Sequence, residues 1–124
     1  MPIHLTFDDA SKLGISTYRG EIQTTDLQEY LLAWSHSKYM DYNELVTIHE
    51  VQTEFSELLK HSNQLRGIDL HFLPGRKSAI VVAHPSAQPF AEFWKTAYET
   101  GVAGEREIKI FTAENDARTW AIQR

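Results

Sequence analysis

The sequence predicts an α/β domain built on a mostly parallel five-stranded sheet, with an N-terminal antiparallel edge hairpin and about four helices. Three observations predict it. The last third alternates buried strand (KSAIVVA, 77–83), amphipathic helix (PFAEFWKTAYET, 89–100), strand (EIKIF, 107–111) and helix (TAENDARTWAI, 112–122). Two short β-patterned runs separated by polar turn residues open the chain, as in a hairpin. The length, 124 residues, and a hydrophobic content of 42% suit one domain with one core.

The elements follow in order. Ile3, Leu5 and Phe7 alternate with His4 and Thr6, the period of a half-buried strand. Asp8, Asp9, Ala10 and Ser11 form a turn, residues 13–19 a second strand, and Gly20 closes it. Thr25 and Gln28 have capping-box spacing, with Asp26 in the first turn. Leu27, Tyr30, Leu31 and Trp34 then share one face of a helix expected over about 26–38. Residues 39–43 form an aromatic connection, and LVTIHEV (45–51) is the third strand.

The stretch 56–72 is expected as a helix opened by Ser56, with Leu58, Leu65, Ile68 and Phe72 inward. The competing reading stops it at Gly67 and makes 68–73 a strand, since Ile68, Leu70 and Phe72 alternate. Pro74-Gly75 ends either one. The near-continuous apolar run at 77–83 fits a strand covered on both faces. After a loop over 85–88, Pro89 opens a helix burying Phe90, Phe93, Trp94 and Ala97. Thr112 is expected to cap the last helix, with Ala113, Ala117, Trp120 and Ala121 inward.

Composition excludes more than it assigns. With no cysteine, disulfides and thiolate metal sites are out. The N-terminus has neither a basic start nor an apolar run of signal length, and no stretch could span a bilayer, so the expected address is the cytoplasm. Residues 1–62 hold ten acidic and four basic side chains, and 63–124 hold seven and eight. Arg66, Arg76 and Lys77 make only a thin basic cluster, which argues against nucleic acid.

No sequence motif names a reaction. The six histidines, His4, His36, His49, His61, His71 and His84, form no HExxH pair, and no metal or other cofactor is expected. His49 and Glu50 are adjacent on a strand, so their side chains are expected to point to opposite faces and not to act on one atom. His84 follows the fourth strand and, with Ser86 and Gln88, precedes a helix N-terminus, where an anion could be held; a turn and helix cap is the plainer use. The end of the third strand offers Glu50, Gln52, Thr53 and Ser56. If strands three and four are neighbours, these two segments border one cleft. Ser56, His84 and Glu50 are the one group from which a hydrolytic site could be drawn, without a nucleophile elbow. Phe90, Trp94 and Tyr98 either pack in the core or line a helix–sheet pocket. Tyr39, Met40 and Tyr42 either plug the sheet end or form a partner patch. A homodimer through the hairpin edge or this connection is open, with no feature deciding it.

Four stretches together resemble the STAS-like domains, the anti-sigma-factor-antagonist fold. They are GEIQTTDLQEYLLAW, LVTIHEV, GRKSAIVVAHPS followed by PFAEFWKTA, and IKIFTAENDARTWA, covering about residues 20–120. The resemblance implies a non-enzymatic binding or regulatory role, through a protein partner or a nucleotide-like or lipid-like small molecule. Sporulation-type members carry a phosphorylated Ser in an Asp-Ser-Ser/Thr-Gly motif after the third strand. The matching stretch here, Gln52 to Ser56, lacks that motif, with Thr53 and Ser56 near its place. The implied recognition surface is the C-terminal edge of strands three and four: Glu50, Gln52, Thr53, Ser56, His84, Ser86 and Gln88.

Overall fold

Why alternating and near-continuous apolar runs coexist in one chain is answered by its sheet. The computed structural model describes residues 2–34, 38–39, 41–52, 77–97 and 107–123. Five strands, β1 (Ile3–Asp8), β2 (Leu13–Glu21), β3 (Asn43–Gln52), β4 (Lys77–Val82) and β5 (Glu107–Phe111), lie side by side in chain order. β1 and β2 are antiparallel, and the other three neighbouring pairs are parallel. The described helices are α1 (Thr24–Trp34), α2 (Gln88–Ala97) and α3 (Glu114–Ile122), with a short 3-10 turn over Pro85–Ala87 ahead of α2. The helix or strand expected within 56–73 lies outside the described residues. No described helix is long and apolar enough to cross a membrane.

The order dictates the layers. Right-handed crossovers that always step to the next strand in one direction put their helices on one face. α1 and α2 accordingly share a core with Tyr18, Val46, Ile48, Ile80 and Ile108. α3 follows the last strand and folds back over the opposite face, where Ala117 and Ala121 meet Leu13, Leu45, Ala79 and Val81. Alanines at i and i+4 let that helix lie close to the sheet. β3 and β4 are therefore apolar on both sides, while β1 keeps His4 and Thr6 exposed and turns Ile3, Leu5 and Phe7 toward the core.

Trp34 is fully buried and its indole lies where a β-carbon on Gly14 would sit. A glycine inside a strand usually marks such a close approach. Asn43 opens β3 and joins three segments: its Nδ2 donates to the Ala121 carbonyl at 2.7 Å, and its Oδ1 accepts from the Lys77 N–H at 2.9 Å. The aromatic connection takes the plug role at this end: Phe7 stacks on Tyr39, with centroids 3.8 Å apart, and meets Trp34 edge-on at 5.2 Å. Tyr42 donates to Asp9 at 2.7 Å. Met40 lies outside the described residues.

Several local expectations need correcting. Thr25 does not cap α1. The helix begins one residue earlier, and Asp26 reaches back to accept from the Gln23 N–H at 2.8 Å. A carboxylate three residues into a helix can satisfy the cap residue's own N–H, which is the other half of a capping box. α1 is described as far as Trp34, and Lys38 and Tyr39 lie in a turn. Gly20 does not close β2; it bends it, at φ +83°, and the strand runs on to Glu21. Thr112 does not cap α3. Ala113 occupies the cap position, contributes no side-chain bond and is exposed, so the first turn relies on Glu114 and Asp116 near its dipole.

Candidate functional site

β3 and β4 are neighbours in register from Glu44↔Ser78 to Ile48↔Val82. The Ala83 N–H extends the ladder by donating to the Ile48 carbonyl at 2.9 Å. The chain then leaves the sheet at His84, and the 3-10 turn packs against β3. Two segments distant in sequence thus meet at the C-terminal edge of the parallel strands. Glu50, Gln52, His84, Ser86 and Gln88 are all exposed there. Thr53 and Ser56 lie outside the described residues.

His84 is engaged within its own turn. Its Nδ1 accepts from the Ser86 N–H at 3.1 Å and lies 2.8 Å from Ser86 Oγ. The imidazole is thus the N-terminal cap of the 3-10 turn, the role a Ser or Asp side chain commonly takes. A nitrogen accepting from a backbone N–H carries no proton, so the neutral ring keeps its proton on Nε2. In a Ser-His-acid site the Nδ1–H donates to the acid. Here that nitrogen is turned to the backbone. Replacing His84 with Ala should cost about 1 kcal/mol through loss of the cap. Chemical denaturation checks the size, and nitrogen NMR of the ring should find the neutral imidazole as its Nε2–H tautomer.

Gln88 also has a partner, donating from Nε2 to Glu92 Oε1 at 2.8 Å. Below this edge the aromatic side chains are enclosed. Phe90 is 1% and Trp94 0% exposed, packed on Tyr18 and on each other. Tyr98 lies outside the described residues.

A strand irregularity changes what stands beside this edge. Tyr18 pairs with Ile48, but Gly20 pairs with Val51, so Arg19 alone faces His49 and Glu50. Two residues opposite one make a β-bulge in β3. Ile48 and Val51, three apart, both belong to the α1–α2 core. Strict alternation therefore fails somewhere between Ile48 and Val51, within the pair His49 and Glu50 or at either side of it. His49 is half-buried, and burial, with Arg19 nearby, holds its pKa below 6.5, against an opposing pull from Glu114. The unfolded chain takes up that proton first as pH falls below 6.5, so this contribution to stability is present above 6.5 and lost on acidification. A proton-NMR titration should place the His49 midpoint below that of a free histidine, and Arg19→Gln should raise it.

A second polar group was not apparent from the sequence. Glu44, 3% exposed, accepts from the Tyr30 hydroxyl, which lies 3.1 Å from Ser16 Oγ. The signal was parity: Glu44 alternates with Val46 and Ile48 and shares their inward face. Burial first, then the Glu44 charge and hydrogen bond, push the Tyr30 pKa well above 10.0. Raising pH past 10 lets the unfolded chain lose a proton that the folded chain keeps, so stability falls there. Tyr30→Phe should flatten that alkaline decline in urea-unfolding curves collected at increasing pH. Among the described residues, no three His, Asp or Glu side chains gather as a metal ion would need.

No protein-family model, curated protein or solved structure matches the chain.

Proposed function

We propose that this chain is a STAS-like, non-enzymatic recognition domain that binds a protein partner across the C-terminal edge of β3 and β4. Glu50, Gln52, His84, Ser86 and Gln88 form the described part of that surface, and Thr53 and Ser56 continue it in sequence. A cytoplasmic setting goes with this reading.

One observation carries it: the exposed polar side chains at this edge sit on a sheet whose strands follow in strict chain order. Open α/β sheets form a ligand crevice where strand order reverses, because the loops on either side then part in opposite directions. A sheet in sequential order has no such reversal. Its described strand ends present exposed polar side chains, suited to another protein's surface rather than to an engulfed small molecule. The enclosed Phe90 and Trp94 weigh against a helix–sheet ligand carrier. The orientation of His84 Nδ1 toward the backbone weighs against hydrolysis through Ser56, His84 and Glu50.

The reading is tested by placing a photo-crosslinking amino acid at Gln52 or Gln88, and as controls at Thr119 or Glu107, in cells of the source organism. One adduct of discrete mass, common to positions 52 and 88 and missing from the controls, is the expected result. Adducts only from the control positions, or none from any, would sink it.

A further inference from the structure

We propose that the outer edge of β1, with the groove between β1 and α1, receives an extended lysine- or arginine-bearing segment of a partner protein as an added strand. This goes beyond recognition at the C-terminal edge of β3 and β4 and stands on different residues.

β1 is the last strand on its side of the sheet, and among the described residues nothing pairs with its outer edge. An edge strand presents a row of N–H and C=O groups ready for another chain, and proteins commonly blunt it with lysine, proline or a bulge. The sequence of β1, IHLTFD, has no lysine or proline, and its register with β2 runs unbroken from Ile3↔Tyr18 to Asp8↔Leu13. Among the described residues it is a regular edge that no other strand covers.

Beside it lies an open groove of about 140 Å³, lined by Ile3, Leu5, Asp26, Glu29, Tyr30 and Ala33. Asp26, Glu29 and Ala33 fall at i, i+3 and i+7, so α1 presents them along one side. Ile3, Leu5 and Ala33 make an apolar floor; on α1 beside it stand Glu29, which is exposed, and Asp26, whose carboxylate also accepts from the Gln23 N–H. This volume is well below the roughly 300–1,000 Å³ of small-molecule sites, but it suits one side chain.

Edge and groove together specify the occupant. An added strand gains affinity from main-chain hydrogen bonds and specificity from pockets that take alternate side chains. A side chain entering this groove meets hydrocarbon, with the exposed Glu29 carboxylate of α1 alongside. Lysine and arginine match that pairing, with an aliphatic stem and a cationic head. A second copy of this chain fits poorly. Pairing two β1 edges about a two-fold axis would bring both α1 helices, with Asp26 and Glu29 on each, to the same side, between chains each carrying a net charge of −5.

The probe is a fluorescein-labelled eight-residue peptide alternating lysine and threonine, titrated into the full chain at low salt. Fluorescence anisotropy reads affinity, and amide NMR reads location. Expected are saturable binding and amide shifts confined to residues 3–8 and 26–33. Glu29→Lys, an exposed substitution checked for fold by circular dichroism, should weaken binding about tenfold by reversing that charge. Glu92→Lys on α2 should not. A peptide N-methylated at alternate backbone amides keeps the charge and loses strand pairing, and it should not bind. The proposal is overturned by no binding up to about 1 mM peptide, by equal binding of the N-methylated peptide, by shifts located elsewhere, or by sedimentation showing that β1 is instead occupied by a second copy of the chain.

Discussion

Replacing Gly14 by alanine is expected to destabilise the protein by about 3 kcal/mol, the upper range for overpacking a filled site. The position lies inside β2, opposite Phe7 on β1 and Glu44 on β3. Its missing side chain is the space that the Trp34 indole fills, with Phe7 Cε1 3.2 Å from where the new carbon would stand. Trp34 cannot retreat cheaply, because it is fully buried at the end of α1 and also packs edge-on against Phe7. Accommodation must therefore move α1 or bend β2. Urea denaturation measures the loss as a lower midpoint. A Trp34→Phe change removes the obstructing ring, so the double variant should lose less than the two single losses added together. Simple additivity would show that the clash is relieved some other way.

Asn43→Ala is the second large effect, expected at about 2–4 kcal/mol because two bonds to the backbone, one buried and one part-buried, are lost at once. The Lys77 N–H and the Ala121 carbonyl both depend on this amide. One opens β4 and the other lies near the C-terminus of α3, where the last carbonyls lack helical partners. Asn43→Asp separates the two bonds. A carboxylate can still accept from Lys77 but cannot donate to Ala121, and it sets negative charge against a carbonyl oxygen. Hydrogen exchange should then keep the Lys77 amide protected in the Asp variant, expose it in the Ala variant, and show α3 fraying in both. Equal protection of Lys77 in both variants would contradict this division of roles.

The parts of this structure legible in the sequence are those governed by period. Alternation in Ile3, Leu5 and Phe7, the four-residue face of α1 and the continuous apolar run of β4 each found their place, because burial selects them without regard to neighbours. The mostly parallel sheet with its antiparallel edge hairpin followed from the strand–helix alternation and the short first turn, whereas the sequential strand order was not read from the sequence. What escaped notice depends on a partner far along the chain. The reason for Gly14 is Trp34, the reason for Asn43 is α3, and the inward turn of Glu44 is satisfied by Tyr30. The bulge at His49 and Glu50 is a register event between two strands, with only Gly20 as a local trace. Caps failed for a related reason. Several residues near each helix start could serve, and packing decided which backbone turned first, so Asp26 was used and Thr112 was not. At the candidate site, the location was legible because strand ends and helix starts leave marks in sequence. The engagement of His84 with Ser86 was not, because spacing alone does not reveal which way a ring turns.

Recognition at the strand ends is tested most directly by the affinity of the partner captured from positions 52 and 88 for the wild-type chain and for a Gln52→Arg/Gln88→Arg variant, with thermal unfolding followed in parallel. Both side chains are exposed, so the melting temperature should stay within a few degrees. Affinity should fall about tenfold or more, as two bulky charges enter the centre of the contact. Unchanged affinity, with the fold intact, would contradict the assignment of this edge as the recognition surface.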